Sequence, residues 1–130
     1  VAANDFTIIM EDTMANTSTE LESQIRRGRI TPAMSFQEKV WAITARIPKG
    51  KVVTYADVAR SLKSTGFRAV GQALHNNPFA PGVPCHRVVG SDGRLTGFAQ
   101  GLEKKRKMLE SEGIPFVGQK ADLARCRAKV

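Results

Sequence analysis

Six residues in a row, Pro84-Cys85-His86-Arg87-Val88-Val89, set one of two cysteines beside one of two histidines. A deprotonated cysteine is the strongest nucleophile among the side chains, and a neighbouring imidazole is the usual base that deprotonates it. In an extended segment, successive side chains point to opposite faces. The sequence predicts an extended run through Val89, so cooperation between Cys85 and His86 requires a bridging water or a turn at Pro84. Taken alone, the dipeptide fits a small buried cysteine beside a satisfied histidine better than it fits a nucleophile.

The composition narrows what surrounds this stretch. A chain of 130 residues, 42% of them hydrophobic, suits one small domain with a real core. No apolar run reaches membrane-spanning length, and the opening residues lack a signal-peptide layout, so a reducing cytoplasmic or nuclear location is expected. Lysine and arginine total 20 against 12 acids, a formal net charge of +8. That balance suits a polyanionic partner, because neutralising phosphates releases condensed counterions. Two cysteines make neither a disulfide framework nor a thiol set for structural zinc, so no metal or cofactor is expected.

The elements that position the thiol can be read in chain order. Residues 1–34 read as a partly ordered N-terminal extension. Asp5–Met10 could form a short strand, and the Thr17-x-x-Glu20 capping-box pattern opens a short helix that Gly28 ends. Ser35, with Glu38 three residues on, caps a core helix carrying Phe36, Val40, Trp41, Ile43 and Ile47 at helical spacing. Thr54 caps a helix over Tyr55–Leu62, Lys63–Gly66 makes a turn, and Phe67–Asn76 makes a second helix that Asn77-Pro78 ends. Two short helices joined in this way have the helix-turn-helix layout, in which the second helix enters DNA. The face bearing Ala69, Gly71 and Ala73 reads as narrow and nearly bare, suited to close approach and poor in groups for base edges. Leu102–Glu112 reads as a basic helix with Leu102, the Arg106 stem, Met108 and Leu109 on its apolar side, stopped by Gly113. The tail 117–130 reads as basic and solvated. The fold class expected is mainly α with a short β element, a small winged helix-turn-helix-like domain over residues 35–116.

With Arg68-Ala69-Val70-Gly71-Gln72-Ala73-Leu74 and Asn77-Pro78 ahead of it, the Pro-Cys-His-Arg-Val-Val string resembles the active-site region of the O6-alkylguanine-DNA alkyltransferases. The resemblance runs from about Phe36 to Pro115. It implies direct, irreversible transfer of an alkyl group from O6-alkylguanine in double-stranded DNA to Cys85, by a monomer and without a cofactor. His86 matches the base, acting through a water, and Glu112 matches the carboxylate that orients it. Tyr55 matches the tyrosine that helps rotate the flipped nucleotide and donates to the purine. Arg68 matches the arginine that fills the vacated stack, and Asn77 the asparagine that braces the turn. The carbonyls of Cys85 and Val88 correspond to acceptors of the guanine amino group, while Arg87 is expected to anchor the segment.

Two departures fall in the substrate-side loop of Phe98, Ala99 and Gln100. Phe98 stands where the family usually has tyrosine, and Gln100 where many members have glycine, which narrows access for bulky O6 groups. One rival is an alkyltransferase-like protein that binds alkylguanine without repairing it; such proteins typically carry tryptophan where this chain has Cys85. Another is a sequence-specific helix-turn-helix regulator, which leaves Pro84–Val89 without a purpose.

Overall fold

The computed structural model describes residues 19–98 and 100–130. The expected strand at Asp5–Met10 and the capping residue Thr17 lie outside them. Helix α1 spans Thr19–Arg26 and ends before Gly28, whose φ of +73° suits glycine. Residues 19–34, expected to be only partly ordered, pack through Ile25 and Met34 against Trp41, Ala42 and Val83.

Helix α2, Phe36–Ala45, starts at the expected capping box: Ser35 Oγ accepts from the Glu38 amide and Glu38 Oε1 from the Ser35 amide. Its Val40 and Ile43 enter the main core with Ile47, Val58, Val70, Leu74 and Val88. Strand β1, Val53–Thr54, leads into helix α3, Tyr55–Ser61, where Thr54 and Asp57 form a second reciprocal box. Helix α4, Phe67–His75, completes the helix-turn-helix. The sharp corner between α3 and α4 falls on Lys63, at φ 54°, and Gly66 keeps a negative φ at the α4 N-cap.

The Cys85 segment departs from the extended run expected. Cys85–Arg87 winds into a 3-10 turn, and only Val88–Val89 form a strand, β2. Strand β2 pairs in parallel with β1, Val53 opposite Val88 and Thr54 opposite Val89. This pairing fixes the cysteine turn beside the start of α3, and so beside Tyr55.

Helix α5, Leu102–Ser111, ends at Gly113, which takes φ +85° while the Ile114 amide returns to the Leu109 carbonyl. Its buried face differs from the expected one. Leu102 is 48% exposed, whereas Lys105 is 1% exposed. Arg106 does lay its guanidinium on an apolar partner, 4.3 Å from the Phe116 ring centre.

The tail is folded rather than solvated. Strands β3 (Phe116–Val117) and β4 (Lys120–Ala121) form an antiparallel hairpin, and helix α6 (Leu123–Cys126) follows. Ala121 and Cys126 join a second core with Val52, Val89, Leu95 and Leu109. Val52 bonds in both directions to the tail, accepting from Ala128 and donating to Cys126 O, each at 2.8 Å. A basic segment with alternate apolar residues could be either exposed chain or edge structure; backbone pairing decided for the second. The architecture is mainly helical with small sheets, as the fold class anticipated.

Candidate active site

The 3-10 turn gives Cys85 and His86 different environments. Cys85 is partly exposed and lines a small cavity of ≈ 90 Å³ with Tyr55, His75, Asn77, Phe98 and Gln100. His86 points into the protein, 2% exposed. Its Nε2 lies 3.0 Å from Glu112 Oε2, and both oxygens of Glu112 accept from Arg87, Nε to Oε1 at 2.9 Å and Nη2 to Oε2 at 2.7 Å. The remaining Arg87 donor, Nη1, reaches the Ile47 carbonyl at 2.8 Å. Arg87 is therefore an anchor for the carboxylate as well as for its own segment.

This arrangement sets the charge states. Burial, aided by the Arg87 and Lys105 cations, outweighs the pull of Glu112 and holds the imidazole below the usual histidine range. Burial would raise the Glu112 carboxyl, but the hydrogen bonds from Arg87 and His86 win and bring it below the usual carboxylate range. An ionised carboxylate facing a neutral imidazole fixes the tautomer with hydrogen on Nε2. Nδ1 is then the basic nitrogen. Among the described residues no hydrogen bond joins the Cys85 sulfur directly to the ring, so proton passage between them needs an intermediary.

Tyr55, at the first position of α3, reaches the substrate-side loop. Its hydroxyl donates to the Thr96 carbonyl at 3.1 Å and accepts from Thr96 Oγ1 at 3.2 Å. Burial pushes its pKa up, so the phenol keeps its proton at neutral pH. Asn77 clamps the connection leading to the cysteine, donating to the Val83 carbonyl and accepting from the Phe79 amide, each at 2.9 Å.

Lys105 escaped the sequence reading. Its ammonium donates to the Val88 carbonyl at 2.8 Å and to the Thr96 carbonyl at 2.9 Å, and lies 5.9 Å from the ring centres of both Tyr55 and Phe98. It thus ties the cysteine strand to the substrate-side loop beneath the cavity. Burial pulls its pKa down to about 8, only partly opposed by the negative potential a Cys85 thiolate would supply. A run of four cations on a surface helix reads as solvated. The only signal available was that Lys105 lies four residues before Leu109, on the buried stripe.

The remaining expected residues divide. Arg68, Ala69 and Gly71 are on the open face of α4, and Arg68 and Gly71 line a groove of ≈ 450 Å³ beside Tyr55, with Phe67 half exposed at its edge. Ala73 does not share that face. It is buried, and its carbonyl accepts from Trp41 Nε1 at 2.6 Å. Gln72 and His75 are exposed in its place, so the helix is less bare than the small residues implied. Val88 lines neither cavity: its side chain belongs to the core, and its carbonyl accepts from the buried Lys105 ammonium. Phe98 and Gln100 line the cavity, and Ala99 lies outside the described residues.

The helix-turn-helix thus leads into a turn that presents Cys85 at a small cavity, with His86 held on a carboxylate behind it. The chain belongs to the family described as 6-O-methylguanine DNA methyltransferase, DNA binding domain, which it matches over residues 35–114. A methylated-DNA–protein-cysteine methyltransferase of Methanosarcina barkeri is 49% identical over 78 residues, 59% of this chain and 49% of the relative. One from Mycobacterium tuberculosis is 45% identical over 78 residues, 59% of this chain and 47% of the relative. The match thus spans about half the length of these curated relatives. Among solved structures, S. pombe Atl1 bound to DNA containing O6-carboxymethylguanine superposes with a TM-score of 0.64 at 31% identity, covering 73% of this chain and 95% of that one. Mycobacterium tuberculosis OGT in complex with DNA superposes with a TM-score of 0.59 at 35% identity, covering 74% and 64%. Among the described residues no helix is long and apolar enough to cross a membrane.

Proposed function

We propose that this chain repairs duplex DNA by moving the alkyl group of O6-alkylguanine onto Cys85. The observation that carries the reading is a partly exposed thiol at a small cavity, backed by a buried histidine locked to a carboxylate. His86 takes the thiol proton through an intervening water, and Glu112 with Arg87 holds the ring in the tautomer that can accept it. The thiolate attacks the carbon bound to O6. The S–C bond forms as the C–O6 bond breaks, and the electron pair stays with the guanine, which gains a proton to leave neutral. Tyr55, whose phenol stays protonated, donates to the departing purine once its hydroxyl turns from the Thr96 carbonyl that accepts it in the free protein.

The reacting carbon sits inside the base stack, so the nucleotide must be everted to reach Cys85. Arg68, on the exposed face of α4, fills the vacated position, and Ala69 and Gly71 let the helix approach the minor groove. The net charge of +8 supplies attraction for phosphates that is independent of sequence. A thioether has no good leaving group, so each chain acts once.

The likeness to Atl1 supports a second reading, recognition of alkylguanine without repair. Cys85 favours transfer. Incubation with O6-methylguanine duplex followed by intact mass decides between them. Transfer adds one methyl per chain, mapped to Cys85, and binding with no mass change establishes the recognition reading instead.

A further inference from the structure

Two cavities meet at one wall. The groove along α4 and the small cavity at Cys85 share Tyr55, His75 and Gly97 in their linings. A nucleotide passing from groove to thiol crosses this wall. Gly97 has no side chain, and the Tyr55 hydroxyl is already engaged by Thr96 through both of its roles. Among the described residues His75 has no hydrogen-bond partner, and it is exposed. It is therefore the shared-wall side chain whose polar atoms remain available for a ligand.

We infer that His75 is a substrate-positioning residue that contacts the phosphate of the everted nucleotide, a role that rests on the transfer reading above. When the base occupies the inner cavity, its sugar and phosphate remain at the mouth, where the shared wall lies. The imidazole stands in the last turn of α4. The titratable or charged groups sharing the two linings with it are Tyr55 of α3, Arg68 of its own helix and Cys85 of the 3-10 turn. No carboxylate is among them. An anion delivered to this wall meets donors and no carboxylate, and Arg68 lies two turns away on the same helix, about 10 Å along its axis. His75 and Arg68 thus hold opposite ends of the groove.

The test uses the full chain, a duplex containing O6-methylguanine, the free O6-methylguanine base, and a duplex in which the phosphates flanking the modified nucleoside are replaced by uncharged methylphosphonates. Transfer rate and duplex affinity are both measured. His75→Ala should lose about tenfold or more on the ordinary duplex, as expected for a charge-assisted hydrogen bond, and nothing on the free base. The penalty should vanish on the methylphosphonate duplex, and His75→Arg should restore the ordinary-duplex value. Equal losses on duplex and free base, no loss on duplex, or an undiminished penalty on the neutral backbone would each overturn the inference. If the parent transfers nothing, the transfer reading fails separately, and the affinity measurements still decide whether His75 holds that phosphate.

Discussion

Cys85 and Cys126 sit in the same small protein, each in a short helical turn with basic residues close by in sequence, yet their surroundings prepare them for opposite fates. Cys126 is 1% exposed within the second core, and its sulfur donates to the Asp122 carbonyl at 3.1 Å. Burial and the nearby Asp122 charge push its pKa up. It behaves as a small apolar residue with a satisfied proton. Cys85 opens on a cavity, with an imidazole next in sequence whose carboxylate and guanidinium partners are themselves fixed. On the proposed reading, the difference teaches that a nucleophile is made by its neighbours: an open cavity, an imidazole held in one tautomer, and a cation close by. Cysteine alone supplies none of these.

The sharpest way to break this comparison is to exchange the chemistry at each site. Cys85→Ser should abolish transfer, since a serine hydroxyl is scarcely ionised near neutral pH, while binding to methylated duplex stays close to the parent's. Cys126→Ala should still transfer. Methyl found on Cys126 by peptide mapping would reverse the assignment.

A smaller effect should follow from loosening the base. Glu112→Gln leaves the imidazole without a charged partner and breaks the fork to Arg87, and single-turnover rates should fall by a factor of about a hundred or more. The same substitution tests linkage. Because the Glu112 pKa is depressed on folding, it contributes stability above the ordinary carboxylate range, and that contribution is lost as pH falls through its folded value. Thermal unfolding measured from neutral pH downward should show a shallower acid loss in the variant.

Lys105→Met should cost about tenfold in rate, because the Val88 and Thr96 carbonyls lose their common donor and the substrate-side loop its tie. Its pH signature runs opposite to that of Glu112. Between about 8 and the ordinary 10.5 the unfolded lysine holds its proton while the buried one has released it. This group's contribution to stability therefore rises with pH across that window, and the rise should be missing in the methionine variant. The smallest effect belongs to the inert thiol: Cys126→Ala should lower stability by about 1 kcal/mol in denaturant unfolding and leave the transfer rate alone.

Much of this organisation was legible in the chain because local rules announced it. Ser35 with Glu38 is a capping box written in sequence, Thr54 is readable as a cap, and the apolar spacing of Val40, Ile43 and Ile47 marks one side of the main core. What escaped depended on long-range contacts. The tail is ordered by backbone pairing with Val52, more than seventy residues earlier, which no local pattern encodes. Lys105 is buried because two carbonyls from distant segments converge on it, and lysine in a basic run gives no hint of that. Ala73 faces inward because it shares the buried helical stripe of Val70 and Leu74, so small size alone misplaced it on the open face. The turn at Cys85 was foreseen only as one of two ways to bring the thiol and imidazole together.

The bond from Trp41 to Ala73 has a spectroscopic consequence. The chain contains one tryptophan, and its indole N–H is committed to the backbone of the helix proposed to lie against DNA. The Phe79 ring stands edge-on to it at 5.7 Å, on the connection that leads to the cysteine. Any displacement of α4 or of that connection changes the polarity and hydrogen bonding felt by a single fluorophore. The protein therefore carries an intrinsic optical gauge of its own docking, readable in emission wavelength without a label.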